Sequence, residues 1–254
     1  MRGLKFASAV LVLLAAPSLV QAQASGQLKW NGVGNSFVAT YKQASGNSAS
    51  VYSGAAYSAK LSINGSAPYY PPHGTNGAFG PAVDIYCVDF THSANTGTYN
   101  AWFTKLDQSL THTRSNDIAS YMKAAWLINK LDATPIGSQF ERASIHAAIW
   151  WMMAGSPTSV KNGGIWDASR LTYWAGRAGT EWGDGSVRGE EWTVVTDACV
   201  TSSGTAGSGH TATDSCSQEF LVRTVVPEPA TVILLGTGLL ATLALTGVMR
   251  RPEA

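Results

Sequence analysis

The chain has 254 residues, of which 17 are Lys or Arg and 16 are Asp or Glu, so its formal net charge is +1 at pH 7. A nucleic-acid-binding protein usually carries a clear basic excess, and this near-neutral balance argues against that class. Charged residues make up only 13% of the chain, a low fraction for a soluble domain, and part of the deficit comes from two apolar ends.

The amino-terminal residues have the three parts of a secretory signal peptide. Arg2 and Lys5 form a positive beginning, Ala7 to Leu14 form a short apolar stretch, and Ala22-Gln23-Ala24 supplies the small residues that signal peptidase reads. The apolar stretch is too short to span a bilayer. We predict a signal peptide over residues 1–24, cleaved after Ala22 or Ala24; the alternative is a buried amino-terminal helix.

Several strands are predicted in the first part of the remaining chain. Within residues 27–64, short segments rich in aromatic and β-branched residues alternate with Gly, Asn and Ser, which indicates a strand meander. Residues 65–81 are rich in Pro and Gly and are predicted to form a loop. The stretch VDIYCVDF at 83–90 is predicted to be another strand, and it carries Cys87.

Two helices are predicted after these strands. Apolar side chains recur at helical spacing in residues 115–131, and Ser115 is a candidate N-cap. The second helix is predicted to begin at Ser138, where Ser-Gln-Phe-Glu has the capping-box pattern, and to stop at Gly155. The short connection between them indicates an antiparallel pair.

The chain is predicted to be loop-rich from residue 157 to 189 and to end in two strands at 192–198 and 219–226. Cys199 closes the first of these strands and Cys216 precedes the second. Because an exported protein folds in an oxidising compartment, we predict a disulfide between these two cysteines. Cys87 is then the odd cysteine, either functional or a small buried hydrophobe.

The fold class that follows is α+β. Residues 25–226 are enough for one domain with its own core. We predict a β-sandwich or barrel that carries the inserted antiparallel helix pair.

The carboxyl terminus combines three features in a fixed order. The residues Val226-Pro227-Glu228-Pro229-Ala230-Thr231 come first, an uncharged run from Ala230 to Met249 follows, and Arg250 and Arg251 come next. A helix of about 20 residues crosses the ~30 Å hydrocarbon core of a membrane. A basic pair beside such a span favours the cytoplasmic side, so the domain before it is predicted to lie outside the inner membrane.

This order of features resembles the PEP-CTERM sorting signal of Gram-negative bacteria. The resemblance implies that residues 227–254 form a sorting signal with a transmembrane helix at 230–249, recognised by an exosortase and cleaved near the motif. It further implies a protein that is anchored in the inner membrane, with its ectodomain in the periplasm, and then reaches the cell surface or the exopolysaccharide matrix. The alternative is an ordinary single-span anchor.

Parts of the domain are similar to the thioester-domain group of bacterial surface proteins. They are Tyr86-Cys87-Val88-Asp89, AAWLINKL at 124–131, IHAAIWWMM at 145–153 and Ser217-Gln218-Glu219-Phe220. In that group a strand Cys and a helix Gln join in an internal thioester, which reacts with nucleophiles on a target surface. Here Ile145 and His146 stand where the group has Thr and Gln. Imidazole has no carboxamide carbon for a thiol to attack, so we predict no thioester and no covalent adhesion of that type.

If that fold is shared, Cys87 and His146 approach each other. The first functional hypothesis is a structural or adhesion component without catalytic activity. The second is a hydrolase or acyltransferase in which His146 generates a thiolate on Cys87. No third orienting group is identifiable, although Asp84 and Asp89 are near in sequence, and a buried His in an inactive site is the alternative to a catalytic pair.

The third hypothesis is a glycan-binding module that uses exposed Trp or Tyr. The chain has nine Trp, and those on the predicted helices (Trp126, Trp150 and Trp151) are interpreted as core. The remaining candidates for stacking on sugar rings are Trp30, Trp102, Trp166, Trp174, Trp182 and Trp192.

No cofactor and no metal are predicted. No two His have the i, i+4 spacing of a helical zinc site, and there is no CxxC pair. Asp184, Glu190 and Glu191 do not fit an EF-hand and are interpreted as a solvated acidic turn. The expected partners are signal peptidase, exosortase, the inner membrane and extracellular polysaccharide, with no nucleic acid.

Overall fold

The computed structural model describes residues 23–64, 71–94, 96–107, 109–200 and 216–224. The sorting signal and its predicted transmembrane helix at 230–249 lie outside these residues, as does the predicted signal peptide apart from Gln23 and Ala24. Within the described ranges, no helix combines the length and the apolar character needed to cross a membrane.

The described elements are mostly strands. In chain order they are β1 (Ala24–Gly32), β2 (Phe37–Lys42), β3 (Ser48–Ser53), β4 (Tyr57–Ile63), β5 (Gly74–Thr75), β6 (Ala82–Cys87), β7 (Thr98–Lys105), α1 (Ile118–Ala133), α2 (Gln139–Ala154), β8 (Ser159–Asn162), β9 (Ile165–Asp167), α3 (Ser169–Glu181), a 3-10 turn (Gly189–Glu191), β10 (Trp192–Asp197) and β11 (Phe220–Arg223).

Six strands form a closed barrel, in the order β1-β7-β10-β11-β6-β4, and β4 pairs back onto β1. All of these pairings are antiparallel. Closure removes the free edges of the sheet, so each barrel strand has a neighbour on both sides. The two residues of β5 lie parallel to β4 outside the ring.

A second sheet and the helices are built around this barrel. β2 and β3 pair with the β8–β9 hairpin in the order β3-β2-β8-β9. The chain from α1 to α3 lies between β7 and β10, which are hydrogen-bonded neighbours in the barrel. The helices are therefore an insertion between two barrel strands, and barrel and helices share one hydrophobic core. This confirms the predicted barrel with inserted helices.

The prediction that residues 157–189 are loop-rich was wrong, because this segment contains β8, β9 and α3. The buried residues of α3 are Leu171, Trp174, Ala175 and Ala178, which recur at helical spacing. Gly176 and Gly179 lower the helix propensity of the same segment and obscured this pattern. Gly163 and Gly164, both with positive φ, form the two-residue turn of the β8–β9 hairpin.

The predicted helix pair is present, with two differences in capping. Ser138 is the N-cap residue of α2, but its side chain makes no capping hydrogen bond, so the predicted capping box is not formed. Asp117, not Ser115, caps α1, because its side chain accepts a hydrogen bond from the backbone N–H of Ala119. α2 ends at Gly155, which adopts the left-handed conformation predicted for a helix stop. Arg142 of α2 donates to the backbone carbonyl of Leu131 at 2.7 Å and so ties the end of α1 to α2.

The first described residues, Gln23 and Ala24, are bonded to the barrel. The carboxamide of Gln23 donates to the hydroxyl of Thr104 at 2.9 Å and to the backbone carbonyl of Thr111 at 2.8 Å. Ala24 is buried and is paired with Phe103 in the barrel. Cleavage after Ala24 would remove both residues, so these contacts favour the first predicted cleavage position, after Ala22.

The carboxyl-terminal end of the domain is also fixed to the barrel. Cys199 and Cys216 form the predicted disulfide, with their Cα atoms 5.9 Å apart. After β11, Thr224 is buried and its hydroxyl contacts that of Thr193 at 2.9 Å. The contacts of the domain can thus be followed to Thr224, two residues before the predicted strand end at 226.

Candidate functional site

Cys87 and His146 meet inside the domain. Cys87 ends β6, His146 lies in the first half of α2, and both are fully buried. The contact runs from Nε2 of His146 to the backbone carbonyl oxygen of Cys87, at 3.0 Å. The approach of the two residues therefore agrees with the sequence-based expectation, but the imidazole binds the main chain of Cys87.

Both ring nitrogens of His146 are occupied by main-chain groups. The backbone N–H of Gly54 donates to Nδ1 at 2.9 Å, so Nδ1 carries no proton and Nε2 is the N–H that donates to Cys87. Burial, together with the smaller effect of nearby Arg142, lowers the pKa of His146 from 6.5 to about 4. The imidazole is thus neutral at pH 7 and supports two segments of backbone.

Gly54 is the residue that allows this arrangement. Its φ is +75°, and a Cβ atom at this position would lie 2.3 Å from the ring of Phe37. Any other residue would therefore strain the backbone and clash. The absence of a side chain lets the peptide group turn its N–H toward His146 while its carbonyl accepts from the guanidinium of Arg142.

The thiol of Cys87 contacts a main-chain carbonyl and not a ring nitrogen of His146. Its Sγ donates to the backbone carbonyl of Asp89 at 3.0 Å. Burial raises the pKa of the thiol strongly, and the charge of Asp89 raises it further. A protonated, buried thiol is a poor nucleophile, because the thiolate is the reactive form.

Trp150 completes the contact around the Cys87 carbonyl. Its indole N–H donates to the same oxygen at 3.1 Å, and its ring stacks on His146 with centroids 4.1 Å apart. Phe90 and Tyr41 pack on the other sides of Trp150, with centroid distances of 4.9 and 5.2 Å. The carbonyl of a strand end is therefore held by two side chains of one helix.

His146 predicts a specific pH dependence of stability. Because its folded-state pKa lies below the unfolded value of 6.5, its stabilising effect is complete above pH 6.5 and is lost as the pH falls toward 4. The comparison uses a Cys87→Ala background, which removes the thiol that could react with a Gln at position 146. In that background, replacing His146 with Gln keeps one acceptor and one donor but removes the titration. Between pH 7 and 4.5 the Cys87→Ala protein should lose about 2–3 kcal/mol more unfolding free energy than the Cys87→Ala, His146→Gln double variant. Urea denaturation at the two pH values measures this difference, and equal losses in the two proteins would contradict it.

A second polar cluster is buried beside Cys87, and sequence reasoning did not find it. The carboxylate of Asp89 lies 2.6 Å from Nδ1 of His92 and 3.1 Å from Nε of Arg114. The guanidinium also contacts Nε2 of His92 at 3.1 Å and donates to the backbone carbonyl of Ser217 at 3.0 Å. Since a guanidinium only donates, His92 carries its proton on Nδ1 and gives it to Asp89.

Glu219 extends this cluster toward α1. Its carboxyl group accepts from the backbone N–H of Arg114 at 2.8 Å, from the hydroxyl of Thr196 at 2.7 Å and from the hydroxyl of Tyr121. Burial raises the pKa of Glu219, whereas the hydrogen bond from His92 and the charge of Arg114 bring the pKa of Asp89 below its usual value. The cluster joins the segment after β6, the segment before α1 and the segment before β11.

A cleft opens above these two buried groups, where the barrel meets the second sheet. We call it the barrel–sheet cleft; its volume is about 320 Å³. Its aromatic lining residues are Trp30, Tyr52, Tyr57, Phe90 and Trp150, and its polar ones are Ser50, Thr91, His92, Ser93 and Gln218. Among the described residues, no Lys, Arg, Asp or Glu lines it.

The tryptophans predicted as stacking platforms have different environments. Trp174 and Trp192 are buried, whereas Trp166 is exposed. Trp30, Trp102 and Trp182 are half-buried, and among these three only Trp30 lines the barrel–sheet cleft. Trp126 and Trp150 are core residues as predicted, but the prediction for Trp151 was wrong, because it is exposed on α2.

Acidic and metal-binding residues add no further site in the ranges that the structure describes. There, no group of three or more His, Cys, Asp or Glu is arranged to hold a metal ion. In the acidic turn, Asp184 accepts from the backbone N–H of Ser186, and Glu191 pairs with Arg188.

Comparison with known proteins identifies the tail. Residues 225–251 match a family model described as the PEP-CTERM protein-sorting motif. No curated protein and no solved structure matched the chain. The matched residues include the predicted motif, the apolar run and the basic pair. The chain thus carries a PEP-CTERM sorting motif, which indicates an exported surface protein that an exosortase processes.

Proposed function

We propose that this protein is a structural or adhesion component of the Gram-negative envelope or exopolysaccharide matrix, without catalytic activity. After export and cleavage of the signal peptide, the carboxyl-terminal helix holds the ectodomain on the periplasmic side of the inner membrane. Exosortase then cleaves near Pro227-Glu228-Pro229 and passes the ectodomain to the surface. The match of residues 225–251 to the sorting motif carries this proposal.

We further propose that the ectodomain has a thioester-domain-like architecture but cannot form the thioester. The similarity to that group implies that the strand Cys and the side chain at position 146 are neighbours. The 3.0 Å contact between His146 and the carbonyl of Cys87 supports this. Because His146 offers no carboxamide carbon, the thiol of Cys87 has no group with which to form the covalent bond.

The buried environment of Cys87 argues for a non-catalytic role and against the hydrolase or acyltransferase alternative. A general base must reach the proton that it removes. His146 uses Nδ1 to accept from Gly54 and Nε2 to donate to the carbonyl of Cys87, so neither nitrogen is available to the thiol. The thiol itself is fully buried and donates to the carbonyl of Asp89.

Thiol labelling tests this alternative. In the folded protein we expect iodoacetamide to modify Cys87 at least about 100-fold more slowly than after unfolding in guanidinium chloride, because the thiol is inaccessible and protonated. The control is Asn162→Cys, whose new thiol on the exposed end of β8 should react in the folded state. Rapid labelling of native Cys87, with Asn162→Cys as the reference, would favour a reactive thiol instead.

Fractionation of producing cells tests the proposed location and role. We expect the protein to sediment with the extracellular polysaccharide and to be released when that polymer is digested. Recovery as a soluble periplasmic protein that never associates with the polymer would contradict the proposed role.

A further inference from the structure

We propose that the barrel–sheet cleft binds a neutral saccharide, a short segment of the polysaccharide that surrounds the cell. This inference rests on the proposed function for the source of the ligand, and on the chemistry of the cleft for its class. Its volume of about 320 Å³ lies at the lower end of the range for small-molecule sites, which suits a short segment of sugar units.

The aromatic side chains of the cleft offer flat apolar faces to a ligand. Tyr52 on β3 is 48% exposed. Trp30 on β1 is half-buried, and its ring is braced against Tyr57 with centroids 5.1 Å apart. The C–H faces of sugar rings pack on such surfaces, and a braced ring loses little conformational entropy on binding.

The polar side chains of the cleft are ready to bind hydroxyl groups. In the described part of the chain, the hydroxyls of Tyr52 and Ser93 and the carboxamide of Gln218 have no hydrogen-bond partner, although Gln218 is half-buried. Together they provide both donors and acceptors. A saccharide satisfies such groups because each of its hydroxyls can donate and accept, whereas an apolar ligand would leave them unpaired.

The charge of the cleft decides between classes of saccharide. An anionic polymer would need Lys or Arg in the site, and the described lining contains neither. Asp89 and Arg114, which contact His92, form a buried ion pair at 3.1 Å and so neutralise each other. Both nitrogens of His92 are engaged with these residues, so the imidazole contributes ring surface to the cleft.

Affinity electrophoresis tests this proposal on protein purified in mild detergent from cells that express the full chain. Native gels contain one neutral polymer (dextran, laminarin or galactomannan) or the anionic polymer alginate. We expect at least one neutral polymer to slow the wild-type protein and alginate not to. Tyr52→Ala and Gln218→Ala should each weaken binding at least about 10-fold, because each removes a direct contact.

The matched control is Tyr173→Ala, since Tyr173 is 44% exposed on α3 and lies away from the cleft. Its binding should equal that of the wild type. Thermal unfolding of all variants checks that they are folded, and neither Tyr52 nor Gln218 is a core residue.

The proposal is overturned if no neutral polymer slows the protein, including the case in which alginate alone does, or if Tyr52→Ala and Gln218→Ala bind like the wild type. Self-association that Tyr52→Ala abolishes would assign the cleft to a second copy of the chain and would also overturn it. Export and tail processing are followed separately in whole cells. A wild-type protein that is exported and processed but is not retarded contradicts this inference alone.

Discussion

Replacing Arg114 with Ala is expected to lower the free energy of unfolding by about 3–5 kcal/mol. The guanidinium is 2% exposed, and its loss leaves the equally buried carboxylate of Asp89 without its cationic neighbour. The backbone carbonyl of Ser217 and Nε2 of His92 lose a donor at the same time. Groups that are buried without partners carry the full cost of their desolvation.

Urea denaturation at pH 7 measures this effect, and Arg188→Ala is its matched control. Arg188 pairs with Glu191, but its side chain is 50% exposed. Exposed ion pairs contribute roughly 0–1 kcal/mol, so the control should change stability little. Equal effects of the two substitutions would show that the Asp89–Arg114 pair does not hold the three segments together.

Replacing both Pro227 and Pro229 with Ala is expected to abolish processing of the tail. From the sequence we expect the two prolines to stop a helix over the apolar run from extending into the motif, because Pro lacks the backbone N–H that an interior helical position needs. The variant should keep its carboxyl-terminal residues and accumulate in the inner membrane, whereas the wild-type protein is cut. Immunoblotting of membrane and extracellular fractions, with mass analysis of the carboxyl terminus, measures the change.

The control for this pair is Pro252→Ala, which lies in the same tail but outside the matched residues 225–251. It should be processed like the wild-type protein. The described fold ends at Thr224, so the double variant should also show the same thermal unfolding as the wild type. If a protein that lacks both prolines is released normally, the processing enzyme does not recognise this motif.

The parts of the fold that sequence predicted are those with strong local signals. The capping pattern at Ser138 and the stop at Gly155 fixed the ends of α2, and the alternating aromatic and β-branched segments indicated β1 to β4. Cys199 and Cys216 flank a single loop between two predicted strands, and this position predicted their disulfide. α3 was missed because Gly and polar residues on its exposed face weakened a periodic signal that covers few residues.

The candidate site could be predicted only in part, because its geometry depends on distant contacts. The similarity to thioester domains led to the expectation that Cys87 and His146 are neighbours. The role of the imidazole depends on Gly54, which is 92 residues away in sequence. Arg114 and Glu219 are separated by 105 residues, so no local pattern joins them. The cleft likewise combines residues from the barrel, the second sheet and α2.

Intact-mass analysis of the protein recovered from each fraction of its producing cells tests whether the chain is exported and processed at both ends. We expect an extracytoplasmic species that begins at Gln23, ends near the Pro-Glu-Pro motif and contains the Cys199–Cys216 disulfide. Cys87 should be a free thiol, and the peptides that contain Cys87 and His146 should lack the ammonia loss of about 17 Da that thioester formation entails. The same loss confined to the amino-terminal peptide would come from cyclisation of Gln23. A full-length chain from Met1 to Ala254, dissolved in the cytosol, would contradict the account.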